Sequence, residues 1–204
     1  MLLHDKLRDF RVILASASPR RRELLSATGI EYTLASKFEC EESYPSSLDA
    51  LEVAPYLSAL KSASYPNALS YNEILITADT VVVLNGRVLG KPQNEAEARR
   101  MLADLSGSEH TVVTGVTLRT AQREHTFSSR SVVRFAELTE EQIEYYVEKY
   151  RPMDKAGAYG IQEWIGYVGI EGIEGSFYNV MGLPVQRLYK ELECFIEALP
   201  SCYL

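Results

Sequence analysis

The chain has 204 residues, of which 46% are hydrophobic and 24% charged, enough to bury the core of one domain or of two closely joined lobes. Its formal net charge of −7 opposes binding of a nucleic acid polymer, whereas a small anion can still bind in a local basic cleft. We therefore predict a single domain over residues 1–204 that binds no nucleic acid polymer.

The cysteines and the apolar runs indicate the cellular setting. Cys40, Cys194 and Cys202 form no Cys-x-x-Cys pair and have no histidine at zinc spacing, so we expect reduced thiols rather than disulfides or structural zinc. The N-terminal residues mix acids and bases with apolar residues, unlike a signal peptide. No apolar run approaches the ~20 residues of a membrane span. We expect a soluble, cytoplasmic protein without membrane association.

The predicted elements alternate between strand and helix, which is typical of an α/β fold. In the first half we predict strands over 10–15, 32–36, 73–84 and 87–89, helices over 19–28 and 55–64, and a loop over 39–47. In the second half we predict helices over 94–105, 139–150 and 184–199 and strands over 110–118 and 127–135. Residues 153–182 are rich in glycine, and their strands cannot be assigned from the sequence.

Short local signals set several of these boundaries. Asn85-Gly86 is a strong hairpin signal, so the strand that follows it should pair back. Asn94 with Glu97, and Thr139 with Gln142, have the spacing of capping boxes, in which the first side chain caps a helix N-terminus.

Residues 13–21, Ile-Leu-Ala-Ser-Ala-Ser-Pro-Arg-Arg, have the pattern of a phosphate site. Ser18 is placed to cap a helix that begins at Pro19, and free backbone N–H groups then face one point beside Arg20 and Arg21. Cations oppose the helix dipole at this end, so an anionic ligand would compensate them. The alternative is that both arginines are solvated residues of an ordinary first turn.

Asp79 is the strongest catalytic candidate because it interrupts the apolar run 74–78 in the middle of a predicted strand. A buried carboxylate is costly without a partner, so Asp79 either acts in chemistry or is a structural acid held by a neighbouring donor. Lys91, after the hairpin, and Lys61, on a helix, could reach the same cleft or could be solvated.

The segment 154–162, Asp-Lys-Ala-Gly-Ala-Tyr-Gly-Ile-Gln, places an acid and a base ahead of two glycines and an amide. Glycine allows close approach of the backbone to a ligand, and Gln162 can both donate to and accept from the edge of a base. A surface turn is the alternative. Glu41 and Glu42 could add a carboxylate to a metal site or simply solvate a loop.

Five motifs occur in order between residues 12 and 188. They are Leu14-Ala-Ser-Ala-Ser-Pro-Arg-Arg, Ala78-Asp-Thr-Val-Val, Gly90-Lys-Pro, Asp154-Lys-Ala-Gly-Ala-Tyr-Gly-Ile-Gln and Asn179-Val-Met-Gly-Leu-Pro. Together they closely resemble the Maf family of nucleoside triphosphate pyrophosphatases, in the branch that cleaves dTTP and UTP. The resemblance implies a two-lobed mixed-sheet α/β fold similar to the inosine triphosphate pyrophosphatase group. It also implies a metal-dependent cleft between the lobes and, often, a homodimer.

The resemblance also implies roles for individual residues. Asp79 would be the catalytic proton acceptor, and the substrate-specificity positions would be Arg20, Thr80 and Gln162. A triphosphate needs several positive charges around it. The phosphate-binding group would comprise Ser16, Arg20, Arg21, Lys61 and Lys91. The metal group would comprise Asp79, Glu42 and Asp154. Because residues 38–42 read Phe-Glu-Cys-Glu-Glu and depart from the family pattern, either Glu41 or Glu42 could be the matching acid.

The expected reaction is attack of water on the α-phosphorus of a nucleoside triphosphate, which yields a nucleoside monophosphate and pyrophosphate. A divalent cation, Mg²⁺ or Mn²⁺, would assist it. The role would be nucleotide-pool housekeeping, and the family is also linked to cell division arrest. The alternative is a non-enzymatic nucleotide-binding regulator of cell division, which would have no need for a lone carboxylate in an apolar strand.

Overall fold

The computed structural model describes residues 2–199, so Cys202 lies outside the described residues. It shows an α/β fold around one seven-stranded mixed sheet of order β2-β1-β3-β5-β6-β7, with β4 also paired to β3. The strands are β1 Arg11–Leu14, β2 Thr33–Leu34, β3 Glu73–Leu84, β4 Arg87–Leu89, β5 Glu109–Arg119, β6 Glu124–Phe135 and β7 Ile170–Glu174. The pairs of β1 with β2 and β3 are parallel, and the other pairs are antiparallel.

Eight α-helices cover the sheet within the described residues. They are α1 Leu3–Lys6, α2 Pro19–Ser26, α3 Val53–Ala63, α4 Glu95–Leu105, α5 Glu140–Tyr150, α6 Trp164–Gly169, α7 Phe177–Met181 and α8 Val185–Glu197. None of these helices is long and apolar enough to cross a membrane.

The predicted alternation of strands and helices is confirmed. Ser18 is the N-cap residue of α2 with Pro19 at the first helical position, and Asn85 and Gly86 both have positive φ in the β3–β4 hairpin. The predicted box at α5 is complete, because Thr139 and Gln142 hydrogen-bond each other's backbone N–H groups.

Three details differ from the predictions. Helix α3 begins at Val53 rather than Pro55, because a 3₁₀ turn capped by Asp49 leads directly into it. At α4, Asn94 caps Glu97 N–H, but the Glu97 carboxylate accepts from the backbone of Gln93 instead of closing the box. The glycine-rich residues 153–182 contain two short helices, one edge strand and two 3₁₀ turns, all too short for a sequence pattern to reveal.

Two apolar cores lie along one face of the sheet and form the two lobes. The first core packs α2 and α8 against one half of β3 and β5, around Leu25, Ile76, Val116 and Leu192. The second packs α4 and α5 against the other half, with members that include Val82, Leu102, Val112 and Tyr146. Thr80 and Thr114 lie between the two cores and hydrogen-bond each other across β3 and β5, 3.0 Å apart. The boundary between the lobes is therefore polar.

The other face of the sheet is covered by α3. Gly115 of β5 pairs directly with Asp79 of β3, and a Cβ at Gly115 would lie 2.3 Å from the Pro55 nitrogen. Only glycine lets the helix approach this closely. Because Lys61 lies two turns beyond Ala54 on the same helix face, this close approach brings its ammonium group over the strand that carries Asp79.

One edge of β3 is uncovered at the centre of the molecule. Strand β1 pairs with β3 only as far as Ile76, and β4 begins to pair at Val82 on the same edge. Among residues 2–199, no strand pairs with this edge between Thr77 and Val81. The sheet therefore has an opening centred on Asp79, at the end of β1 and beside the boundary between the two lobes, where α/β folds commonly bind ligands.

Candidate active site

The first side of the opening is the turn from β1 into α2. Ser16 is half-buried there, and its hydroxyl accepts a hydrogen bond from the Ser18 N–H at 3.2 Å. Helix α2 begins at Pro19 without a side-chain cap bond, so its first N–H groups and its positive dipole end remain available to an anion. The cap at Ser18 and the helix start at Pro19 are as predicted, and phosphate binding at this turn stays a prediction.

Asp79 lies in the opening and is only 8% exposed. Its carboxylate accepts a hydrogen bond from Lys61 Nζ, and the same ammonium lies 3.2 Å from a carboxylate oxygen of Glu42. Glu42, and not Glu41, is thus the acid that contacts the site. Two carboxylates and one ammonium give this cluster a formal surplus of negative charge.

Arg21 reaches the opposite face of β3 and bridges three elements. Its guanidinium donates to the carbonyl oxygens of Gly182 and Ala78, both at 2.8 Å, and to the Thr80 hydroxyl at 3.0 Å. Burial lowers the pKa of the Arg21 guanidinium from its ordinary value, although arginine stays charged in proteins. All of these bonds are to the protein itself, so Arg21 ties α2 to β3 and to the turn before α8 beside the site.

Arg20 has a different partner from Arg21 and reaches the residues that follow α5. Its Nη1 donates to Asp154 Oδ2 at 3.1 Å, and Lys155 Nζ donates to the other carboxylate oxygen at 2.7 Å. Burial would raise the pKa of Asp154, but the hydrogen bonds from Lys155 and Arg20 hold that pKa below its ordinary value. Asp154 therefore stays ionised and orients a candidate phosphate-binding arginine.

Lys91 is exposed at the end of the hairpin and makes no hydrogen bond or ion pair with residues 2–199. Its neighbour Gly90 accepts a hydrogen bond from the Gly157 N–H at 3.0 Å, which places Lys91 next to the segment that carries Asp154. An uncommitted cation at the rim of the opening is well suited to a mobile, highly charged ligand.

Gln162 lines a pocket of about 580 Å³ together with Glu23 and Leu24 of α2. These helix residues lie one turn beyond Arg20 on the same face, so the pocket runs along α2 away from the phosphate end. The Gln162 amide oxygen is buried and accepts no hydrogen bond from residues 2–199. Asp79 and Lys61 do not line this pocket, which is bordered instead by the aromatic side chains of Tyr167, Phe177 and Tyr178.

The three predicted metal-binding carboxylates are divided between two places. Asp79 and Glu42 share Lys61, whereas Asp154 bonds to Arg20 and Lys155. Within the described residues, no three side chains of the types His, Cys, Asp and Glu lie close enough together to hold a metal ion.

Sequence reasoning did not identify Glu163 and Tyr146, which hold the segment that carries Gln162. Glu163 lies 3.2 Å from Lys155 Nζ and accepts a hydrogen bond from the Tyr146 hydroxyl. These two residues are separated by a helix end and two turns, so no local spacing could have linked them. The adjacent positions of Lys155 and Asp154 in the sequence were the available signal.

Close relatives match nearly the whole chain. A dTTP/UTP pyrophosphatase of Phocaeicola vulgatus is 53% identical over 189 residues, covering 93% of this chain and 98% of the relative. Proteins of the same name from Bacteroides thetaiotaomicron and Porphyromonas gingivalis are 52% and 50% identical and cover 90% and 95% of this chain. The matched regions cover 95% and 98% of these two relatives.

The fold is similar to that of the solved Ham1 protein from Staphylococcus aureus, with a TM-score of 0.50 and 18% identity. The match covers 91% of this chain and 99% of the other, and it agrees with the mixed-sheet α/β fold expected from the sequence. A family model described as Maf-like protein matches residues 11–195, a range that contains the β1–α2 turn, Asp79 and Gln162. With half of its residues shared with relatives along almost its full length, the chain belongs to the Maf-like protein family.

Proposed function

We propose that this protein is a nucleoside triphosphate pyrophosphatase that hydrolyses dTTP and UTP to the nucleoside monophosphate and pyrophosphate. The choice of substrates is supported by the relatives, which are dTTP/UTP pyrophosphatases by name. The observation that carries the proposal is the position of Asp79: a nearly buried carboxylate, paired with Lys61, in an opening of the sheet beside a free helix N-terminus.

In the proposed reaction, Asp79 takes a proton from a water molecule as the water oxygen attacks the α-phosphorus. The bond from the α-phosphorus to the bridging oxygen breaks, and that oxygen leaves with pyrophosphate. Lys61 would hold the Asp79 carboxylate in place at the opening through its hydrogen bond. Arg20 and Lys91, with the N–H groups at the start of α2 and the hydroxyl of Ser16, hold the negatively charged phosphates.

The residues present fit a divalent cation such as Mg²⁺ or Mn²⁺. Glu42 and Asp79 converge on one ammonium group with a surplus negative charge, and Mg²⁺ is usually held by one or two carboxylates plus the phosphates of a substrate. These two carboxylates would hold the metal ion, and Asp154 would orient Arg20. When bound, the cation supplies charge neutralisation at the phosphates.

Gln162 is proposed to read the base. Its buried amide oxygen lacks a donor within the described residues, and leaving such a group unpaired is costly. The edge of uracil or thymine presents an N–H between two carbonyl groups, so it can donate to this oxygen and accept from the amide nitrogen. Thr80, on β3 between the two lobes, is proposed to assist specificity through its contact with Arg21.

The test is to incubate the purified protein with a panel of nucleoside triphosphates and to measure pyrophosphate and orthophosphate separately. We expect pyrophosphate from dTTP and UTP well above that from ATP and GTP, and no orthophosphate. Release of orthophosphate would place cleavage at another bond. Tight nucleotide binding without turnover would contradict the proposed pyrophosphatase activity and favour a nucleotide-binding regulator.

A further inference from the structure

The segment 154–163 is held by a chain of contacts behind the site. Lys155 is only 7% exposed, and its ammonium lies between Asp154 Oδ1 at 2.7 Å and Glu163 Oε1 at 3.2 Å. The other carboxylate oxygen of Glu163 accepts a hydrogen bond from the Tyr146 hydroxyl. That hydroxyl oxygen in turn accepts a hydrogen bond from the Gly160 N–H at 2.9 Å.

Three members of this network, Tyr146, Lys155 and Gly160, are buried. Tyr146 is fully buried on α5, and burial, with the hydrogen bond to Glu163, raises the pKa of its hydroxyl group, so it remains a donor. A Cβ at Gly160 would lie 2.9 Å from the Glu163 side chain and 3.1 Å from that of Lys155, so the backbone packs directly on both. The contacts therefore hold both ends of the segment at once.

The two ends of the segment lie at the residues proposed to bind the two parts of the substrate. At the first end, Asp154 orients Arg20, which is proposed to bind phosphate. At the second end, Gln162 immediately precedes Glu163 and lines the pocket proposed to hold the base. The distance between Asp154 and Gln162 therefore depends on how tightly the contacts described above hold the segment.

We propose that Tyr146 and Glu163 are positioning residues that set base selectivity by holding the segment 154–163. This inference rests on the proposed function. It assigns part of the base selectivity to two residues that do not line the pocket proposed to hold the base. Glu163 holds the segment by pairing with the buried ammonium group of Lys155. Without the Glu163 carboxylate, this ammonium would keep Asp154 as its one carboxylate partner. Tyr146 holds the segment by satisfying the Gly160 N–H, which Tyr146→Phe would leave without an acceptor.

The experiment compares Tyr146→Phe and Glu163→Gln with Tyr150→Phe. Tyr150 is a matched control, because its ring stacks on Tyr146 from the same helix with centroids 5.1 Å apart, and its hydroxyl makes no hydrogen bond with residues 2–199. The first measurement is the ratio of kcat/KM for UTP to kcat/KM for ATP, below the unfolding temperature of every variant.

We expect this ratio to fall about 3- to 10-fold in Tyr146→Phe and Glu163→Gln, the effect of one misplaced hydrogen bond. Tyr150→Phe should keep the wild-type ratio, and inhibition by inorganic pyrophosphate should change less than about twofold in all three. A merely structural role would lower the unfolding temperature and reduce activity on both nucleotides equally. An unchanged ratio in Tyr146→Phe and Glu163→Gln would therefore overturn the proposal.

Hydrogen exchange of the free protein gives a readout that does not depend on turnover. In Tyr146→Phe, amides of the segment 154–163 should exchange at least about 10-fold faster than in Tyr150→Phe, while the core of β3 and β5 keeps its protection. Equal exchange rates in the two variants would overturn the proposal that Tyr146 holds the segment 154–163, whatever the substrate. Absence of nucleotide hydrolysis by the wild-type protein would instead refute the proposed function, so the two failures are distinguishable.

Discussion

Arg21 donates a hydrogen bond to the carbonyl oxygen of Ala78, 2.8 Å away, on the edge of β3 that β1 leaves uncovered. The guanidinium thus satisfies a backbone group that a neighbouring strand would otherwise pair. Ala78 immediately precedes Asp79, and Arg21 also bonds to Thr80 on its other side. One side chain therefore holds both neighbours of the proposed catalytic carboxylate.

This relationship predicts that Arg21→Lys lowers kcat at least about 10-fold, because one ammonium cannot reproduce three directed hydrogen bonds. Loss of two net hydrogen bonds should also lower the free energy of unfolding by about 2 kcal/mol. Steady-state kinetics and urea unfolding test both effects, with Arg22→Lys on the next position of α2 as the control. A higher KM for UTP at unchanged kcat would instead make Arg21 a phosphate ligand.

Asp79→Asn should reduce kcat about 10²- to 10⁴-fold, the usual cost of losing a general base. Nucleotide affinity should remain measurable by calorimetry, since Arg20 and Lys91 keep their charges. Asp104→Asn is a suitable control, because Asp104 is exposed on α4 and makes no hydrogen bond with the described residues. If Asp79→Asn kept wild-type turnover, Asp79 would be a structural acid that only pairs with Lys61.

Gln162→Ala should narrow the preference for UTP over ATP by about 10-fold, because its buried amide oxygen would no longer match the base. Competition between the two nucleotides in one assay measures this ratio directly. Gln186→Ala, at an exposed position of α8, serves as the control. Full discrimination by Gln162→Ala would remove the residue from the base site.

Activity should be lost in excess EDTA and restored by Mg²⁺ or Mn²⁺. Glu42→Gln should raise the Mg²⁺ concentration for half-maximal activity several-fold, because it removes one of the two carboxylates beside Lys61. Glu41→Gln is the matched control one position away, since Glu41 does not contact Lys61. Equal Mg²⁺ requirements in the two variants would exclude Glu42 from metal binding, and full activity in EDTA would exclude the metal altogether.

His110 should make stability depend on pH. The ring is 3% exposed, its Nε2 lies 2.7 Å from the Tyr159 hydroxyl oxygen, and burial lowers the pKa of His110 to about 4. In the unfolded chain the ordinary pKa is about 6.5, so between these values the unfolded state binds more protons. The contribution of neutral His110 is fully present above about pH 6.5 and is lost as the pH falls toward 4.

The expected loss from this one group is on the order of 2 kcal/mol between pH 6.5 and 5. Urea unfolding at several pH values in this range measures it. In His110→Phe the dependence on pH should flatten, whatever the baseline stability, whereas His4→Phe at an exposed position should behave as the wild type. A slope that is the same in His110→Phe would assign the effect to the carboxylates.

The elements with strong local signals were predictable. Strand β3 and its hairpin follow from a long β-branched run and Asn85-Gly86, and α5 follows from its capping box. The start of α3 was misplaced because proline marks a first turn well, but the 3₁₀ turn before it depends on the Asp49 cap. Strand β7 has no alternation of its own and is defined by its pairing with β6.

The site was predictable as a set of residues but not as an arrangement. Asp79 stands out because a carboxylate interrupts an apolar strand, whereas the different partners of Arg20 and Arg21 depend on the tertiary fold. The choice between Glu41 and Glu42 likewise depends on which one reaches Lys61 across the fold. Glu163 and Tyr146 have no local signal, because a buried network between a helix and a loop leaves no periodic pattern.

The long strands that join the two lobes limit how this protein can close around a substrate. Strands β3 and β5 run without interruption through both apolar cores and are paired from Leu75 to Val83. A hinge between the lobes would have to break this ladder, whereas hinges normally fall in loops or at the ends of elements. Enclosure of a substrate must therefore come from segments outside the sheet, above all residues 35–49, which carry Glu42 and contain neither helix nor strand.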